Sequence, residues 1–160
     1  MKQVSTLFLK IVVFLIGLPV LALCIFIVPE FGKLAEVLYP DKIYIKVLVL
    51  TYLYLSAVPF YFALYQAFKL LGFIDKNIAF SEHSVVALRK IRNSALSISV
   101  IHTLGLPLVF MLAEKDDAPG FILIALIIIF ASLVISVFAA VLQKLLIEVI
   151  DIKNENDLTV

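Results

Sequence analysis

Four long stretches without a charged residue divide this chain. They are Ile11–Val28, Val47–Phe68, Ser94–Ala113 and Pro119–Leu142. A helix needs roughly 20 apolar residues to cross the hydrocarbon core of a bilayer, which is about 30 Å thick, because each residue advances the helix by about 1.5 Å. Each stretch is close to this length or longer. The sequence therefore predicts an all-α, four-helix transmembrane bundle, with spans at about 8–28, 47–70, 94–113 and 119–143 in contact with the lipid bilayer.

The composition agrees with a membrane protein. Hydrophobic residues make up 64% of the chain and charged residues 16%, and the mean hydropathy is +1.16. Soluble domains are roughly 45–50% apolar and about 25% charged. This composition excludes a soluble enzyme and a domain that binds nucleic acid directly. Cys24 is the single cysteine, so no intramolecular disulfide bond forms.

The predicted spans lack the groups that catalysis needs. The four charge-free stretches at their centres contain no Asp, Glu, Lys or Arg, and the chain has no H-E-x-x-H motif and no glycine-rich phosphate loop. Intramembrane charges normally mark ion paths and proton relays, so their absence argues against an ion-coupled transporter. We expect a non-enzymatic protein without a cofactor or a metal site, since His83 falls in a loop and Cys24 in the first span.

The distribution of Lys and Arg predicts the orientation in the membrane. With four spans, both termini and the middle loop at about 71–93 share one side. Nine of the 13 Lys and Arg residues fall on that side: Lys2, Lys10, Lys69, Lys76, Arg89, Lys90, Arg92, Lys144 and Lys153. The positive-inside rule places the more basic side in the cytoplasm. We therefore expect a multi-pass protein of the inner (plasma) membrane with the N- and C-termini cytoplasmic.

A weak internal repeat connects the two halves of the chain. Ile16-Gly17-Leu18-Pro19 in the first span is echoed by Leu104-Gly105-Leu106-Pro107 in the third, and Lys69-Leu70-Leu71 is echoed by Lys144-Leu145-Leu146. Two repeated helical hairpins would produce this pattern, with an axis along the membrane normal. Chance similarity in apolar sequence is the alternative. The prolines in these spans, and Pro59 in the second, are expected to kink their helices.

Two spans carry polar side chains at depth. His102 lies well inside the third span, and Tyr54, Val58, Tyr61 and Tyr65 share one face of the second. Buried tyrosine hydroxyls need hydrogen-bond partners, so we predict an intramembrane polar hub of His102, Tyr61 and Tyr65. Two interpretations stay open: a hub that responds to pH or to a ligand, and a structural imidazole bonded inside the bundle.

Small residues recur every four positions in the fourth span. Ser132, Ser136 and Ala140 form a small-xxx-small stripe, which allows two helix backbones to approach closely. We predict helix packing along this stripe. The packing partner is either another span of the chain or a second copy in a homo-oligomer.

The predicted cytoplasmic loop contains the start of a helix. Ser81 is a typical N-cap, and Glu82 in the first turn suits the helix dipole. We expect a helix from near Glu82 that runs continuously into the third span, with Arg89, Lys90 and Arg92 at the level of the lipid headgroups. These charges either anchor the helix to anionic lipid or form a docking surface.

The tail at 144–160 follows the fourth span. Apolar residues continue that helix past the membrane, and the chain ends in the polar run Lys153–Asp157 and then Leu158-Thr159-Val160. Two forms of the end are considered. One is a frayed terminus, and the other is a short extended segment that adds to a partner's sheet edge or groove.

The loop and the tail resemble a known family. Ala79-Phe80-Ser81, Leu88-Arg89-Lys90-Ile91 and the ending Glu155–Val160 are similar to segments of the family called domain of unknown function 2975. Its members are small four-span bacterial membrane proteins, often encoded beside a small helix-turn-helix regulator of the Cro/CI kind. The resemblance covers essentially the whole chain and implies a partner that binds DNA.

These observations favour a membrane regulator or sensor that binds a small cytoplasmic helix-turn-helix transcription factor. The predicted partner-binding residues are Phe80, Leu88, Arg89 and Lys90 in the loop, and Glu155, Asp157, Leu158 and Val160 in the tail. One alternative is a small permease for a neutral or apolar compound, with a pathway lined by tyrosines of the second span and by His102. Another is a structural or immunity-type membrane protein that acts through lateral contacts of the Ser136 stripe.

Overall fold

The computed structural model describes residues 2–159, which form helices and contain no strand. The six α-helices are α1 (Lys2–Ala22), α2 (Val28–Leu38), α3 (Ile43–Asp75), α4 (Glu82–Leu104), α5 (Leu106–Lys115) and α6 (Gly120–Thr159), and a π-helical segment (Leu23–Ile27) joins α1 to α2. Together these elements form four helical segments that are long and apolar enough to cross a membrane. We call them span 1 (α1 to α2), span 2 (α3), span 3 (α4 with α5) and span 4 (α6). The all-α, four-span prediction is confirmed.

Spans 1 and 3 are interrupted near their Gly-Leu-Pro segments. In span 3, Gly105 ends α4 and Pro107 lies in the first turn of α5, where its missing N–H leaves no helical hydrogen bond unmade. In span 1, Pro19 lies inside α1, and the π-helical segment follows it. Pro59 lies inside an uninterrupted α3. Of the three prolines, only Pro107 therefore stands at a break between two α-helices.

The spans differ in how deeply the bundle encloses them. α4 is central and packs along α3 on one side and α6 on the other, whereas α1 packs mainly on α3. In the most apolar window of span 3, 33% of the residues are buried, against 22% in span 4 and 6% in spans 1 and 2. Span 1 is peripheral because α1 packs mainly on α3 alone, and most of its side chains are left for lipid.

Contacts between helix ends place both described termini at the same end of the bundle, which we call the terminal end. Thr6 and Lys10 of α1 both contact Asp75, the last residue of α3. Val149 of α6 lines a groove together with Ala79 of the connection between α3 and α4. This arrangement follows from an even number of spans.

The other end, which we call the loop end, is where the four spans close on one another. The connections 39–42 and 116–119 lie here. Phe31 of α2 meets Phe121 of α6 edge to face, with 5.4 Å between ring centroids. The Tyr39 hydroxyl donates to the carbonyl oxygen of Met111 in α5 at 3.3 Å. These contacts join span 1 to spans 3 and 4.

The connection at the terminal end is shorter than the predicted loop. α3 continues to Asp75 and α4 begins at Glu82, as expected for that helix, so residues 76–81 alone join them. Ser81 stands at the predicted N-cap position, but its hydroxyl makes no capping bond. It donates instead to the carbonyl oxygen of Ile78 at 2.6 Å.

Of the two forms considered for the end of the chain, the extended segment is wrong for the described residues. α6 is helical through Thr159, because neither proline nor glycine follows Gly120, and the Thr159 hydroxyl bonds back to the carbonyls of Glu155 and Asn156. At about 1.5 Å per residue, its 40 residues span about 60 Å, well beyond the roughly 30 Å hydrocarbon core. All residues from Asp151 to Thr159 are exposed, so the tail is a protruding helix.

Candidate functional site

The small-residue stripe of α6 forms a polar seam with α4. Ser132 and Ser136 are buried. The Ser136 hydroxyl donates to the carbonyl oxygen of Arg92 at 3.2 Å, and Arg92 Nη1 donates to Gln143 Oε1 at 3.1 Å. Ala140 is half-buried beside this seam. The stripe therefore joins two helices of one chain, and Ser136 is not on the outer surface.

The tyrosine face of α3 is turned toward span 1. The Tyr54 hydroxyl donates to the carbonyl oxygen of Cys24 at 3.0 Å, and the Tyr61 hydroxyl donates to that of Gly17 at 2.8 Å. Tyr65 is 58% exposed. Tyr61 and Tyr65 line a groove between α1 and α3, which His102 does not line. The structure thus separates the three residues of the predicted hub into two places.

His102 instead lies next to Tyr52. The histidine is 5% exposed, and its Nδ1 is 3.0 Å from the carbonyl oxygen of Ile98. Its ring meets that of Tyr52 edge to face, with 5.3 Å between centroids. The Tyr52 ring lies so close to Gly105 that a Cβ on that residue would overlap it. The break in span 3 therefore makes room for Tyr52 beside His102.

Sequence reasoning missed Tyr52 because it lies off the face shared by Tyr54, Tyr61 and Tyr65. Two positions along a helix are separated by about 200°, so Tyr52 points nearly opposite to Tyr54. The available signal was the glycine before Pro107, since a helix interruption of this kind admits a large neighbouring ring. A periodicity argument on α3 alone does not find this contact.

The terminal end carries the predicted partner-binding residues on several surfaces. Phe80 is 59% exposed and Leu88 only 7%, and both line a groove of about 310 Å³ between the end of α3, the start of α4 and α6. Leu88 forms a buried wall of this groove. Arg89 and Lys90 are exposed on α4, where Lys90 lines a separate groove against α3.

The tail residues of the predicted site are exposed at the end of α6. Glu155, Asp157 and Leu158 are exposed on the last turns of α6, and Leu158 is 86% exposed. Val160 lies outside the described residues. No hydrogen bond or ion pair links these three tail residues to Phe80 or Arg89 within residues 2–159. The loop and tail portions are thus neighbours at one end rather than one preformed pocket.

Together, four apolar helices and a seam of small polar residues define a multi-pass helical membrane protein. The chain belongs to the family described as "Protein of unknown function (DUF2975)", which matches residues 30–160, and this confirms the resemblance. It is also 61% identical over 160 residues, with both chains covered completely, to the protein named "Uncharacterized membrane protein YoaS" of Bacillus subtilis (strain 168). No solved structure matches the chain.

Proposed function

We propose that this protein is a non-enzymatic regulator or sensor of the plasma membrane that binds a small helix-turn-helix transcription factor at its cytoplasmic face. The observation that carries the proposal is the helical tail of α6. Residues from Asp151 to Thr159 are all exposed, although the tail belongs to a helix of 40 residues. A helix that continues beyond the membrane without covering its own bundle presents a surface for a soluble protein.

The groove beside the tail supports the same proposal. Its walls are almost wholly apolar, and Phe80 stands over it with 59% of its surface exposed. The buried Ser84 hydroxyl in this groove has no hydrogen-bond partner among the described residues. An exposed aromatic residue beside an apolar groove is the kind of anchor that protein interfaces use. Helix-turn-helix proteins can supply a complementary amphipathic helix.

The charges favour a cytoplasmic position for this surface. Arg89 and Lys90 are exposed on α4, and the basic side of a membrane protein faces the cytoplasm. The tail adds exposed acidic side chains, Glu155 and Asp157. A partner with a basic DNA-binding face and an apolar helix would find complementary groups on the tail and in the groove.

Co-purification after in-cell crosslinking tests the proposal. The protein is extracted in mild detergent, and soluble partners are identified by mass spectrometry. We expect a small helix-turn-helix protein in a stoichiometric amount. Phe80→Ala combined with deletion of Glu155–Val160 should release it while the protein stays in the membrane.

Matched variants separate docking from folding. Val37→Ala replaces an apolar residue that is 75% exposed on α2 near the loop end, and it should leave the partner bound. Leu88→Ala is a poor probe, because truncating a buried leucine costs stability. Unchanged retention in the Phe80 and tail variant would overturn the proposal. A preparation without any soluble partner would also overturn it, and solute flux into proteoliposomes would then test the permease alternative.

A further inference from the structure

A cavity of about 140 Å³ lies where span 3 is interrupted. Parts of all four spans surround it, including Phe31 of α2, Val49 of α3, Leu112 of α5 and Phe121 of α6. Tyr52 and His102 bring the polar groups of its wall, and none of the lining residues is Asp, Glu, Lys or Arg. The cavity wall is therefore almost wholly apolar.

The hydrogen bonding of His102 defines what this wall offers. A carbonyl oxygen only accepts hydrogen bonds, so the 3.0 Å contact with Ile98 requires Nδ1 to carry the proton. In a neutral imidazole Nε2 is then an acceptor. No hydrogen bond to Nε2 or to the Tyr52 hydroxyl forms within residues 2–159. A ring nitrogen of a buried histidine and a tyrosine hydroxyl, neither with a hydrogen-bond partner among the described residues, thus belong to two residues that line one cavity.

Size and polarity limit what the cavity accepts. Apolar protein cavities of about 150 Å³ hold one benzene-sized molecule. A charged molecule would pay a large desolvation cost, because no opposite charge lines the wall. A group that donates a hydrogen bond would satisfy Nε2, and burying that nitrogen unsatisfied has a cost in free energy.

We infer that this cavity is a binding site for a small uncharged molecule of about phenol size that donates one hydrogen bond to His102 Nε2. The lipid phase provides the route of entry. Ile124 lines the cavity and is also 57% exposed on the outside of the bundle, so the chamber reaches the surface that faces acyl chains. Neutral molecules with an apolar body concentrate there. The site is separate from the terminal end and does not depend on the proposed partner.

Nitrogen-15 NMR of labelled histidine provides the test. The chain has two histidines, so His83→Gln leaves His102 as the single imidazole reporter. With the protein in nanodiscs, added phenol should shift the Nε2 resonance saturably, whereas Nδ1 should stay bonded to Ile98. Toluene, which has nearly the same shape but no donor, should give no shift of hydrogen-bonding character.

Filling the cavity should abolish the response. Ala125 is buried in the wall, and Ala125→Leu occupies the chamber while both polar groups remain. Ala131→Leu makes the same change at an exposed position of α6 and should leave the phenol shift intact. Ile128→Phe provides a second filling variant if Ala125→Leu does not fold.

Three outcomes would overturn the inference. One is the absence of a saturable phenol shift when the cavity is unfilled. Another is a phenol shift in both filling variants that equals the shift measured without the filling substitution. The third is a resonance already in the hydrogen-bonded position and unmoved by phenol, which would mean that the chamber holds water only.

Discussion

Spans 1 and 3 carry nearly the same tetrapeptide, Ile16-Gly17-Leu18-Pro19 and Leu104-Gly105-Leu106-Pro107, in very different surroundings. In both places a tyrosine of α3 meets the glycine. Tyr61 bonds to the Gly17 carbonyl oxygen, and the Tyr52 ring covers Gly105. Yet α1 continues as a helix through its proline, while span 3 breaks between α4 and α5.

The difference indicates that the side chains packed around a Gly-Leu-Pro segment determine whether the helix is interrupted there. Span 1 is peripheral and packs mainly on α3, and no neighbouring ring interrupts α1 beside Gly17. A Cβ added to Gly17 would lie 3.4 Å from Leu64, an ordinary contact. Span 3 is enclosed on both sides, and the large ring of Tyr52 takes the space beside Gly105.

Truncating a buried leucine of span 3 should have the largest effect. Leu112→Ala removes a side chain that is 5% exposed and belongs to the cluster of Ala35, Ile45 and Val49. We expect a loss of about 2–3 kcal/mol, toward the low end for buried leucines, because lipid replaces water as the medium of the unassembled helices. Leu18→Ala in span 1, where the leucine is 61% exposed, should cost almost nothing. SDS titration followed by tyrosine fluorescence measures both, and equal losses would contradict the contrast.

Adding one methyl group to each glycine sharpens the contrast. Gly105→Ala should destabilise the protein by about 1–3 kcal/mol, the usual cost of overpacking, because the new Cβ overlaps the Tyr52 ring. Gly17→Ala should be neutral or slightly stabilising, since alanine is the better helix former. The same titration applies. If Gly17→Ala proved the more damaging change, span 1 would be packed more tightly than the structure shows.

Removing a tyrosine hydroxyl should lower stability at Tyr61, where it makes a hydrogen bond, and leave stability unchanged at Tyr52. Tyr61→Phe loses the 2.8 Å bond to Gly17, and hydrogen bonds between membrane helices are worth about 0.6 kcal/mol on average. Tyr52→Phe should leave stability unchanged, because that hydroxyl makes no bond within residues 2–159. A stability loss in Tyr52→Phe that matched or exceeded that of Tyr61→Phe would show that Tyr52 is bonded after all.

The smallest effect is expected where α1 meets the end of α3. Lys10 Nζ lies 2.5 Å from Asp75 Oδ2, and their side chains are 23% and 25% exposed. Asp75→Asn should cost about 0.2–0.5 kcal/mol, at the low end for solvated ion pairs, and less at high salt. Titrations at low and high ionic strength measure this. A loss as large as that of Gly105→Ala, independent of salt, would mean that span 1 is held firmly at this end.

The sequence predicted the spans well because charge is excluded from a bilayer core by a large free energy. The start of α4 at Glu82 also followed from local chemistry. Local chemistry did not predict the contacts of His102, nor which helix packs against the Ser136 stripe. In a membrane an apolar face meets either lipid or protein without a change in residue type, so periodicity does not identify partners. The continuation of α6 past the membrane was predicted, but the helix of its last residues, 153–159, was not, since this polar run resembles a terminus that frays.

The neighbour relations of the spans also bear on how the protein is made. Span 2 packs on span 1, span 3 on span 2, and span 4 on span 3, so each helix finds its main partner in the one inserted just before it. During synthesis, each new span therefore has a helix to pack against as soon as it enters the membrane. Within residues 2–159, the ring contact between Phe31 and Phe121 joins the first span to the last, so it forms only after span 4 is in place.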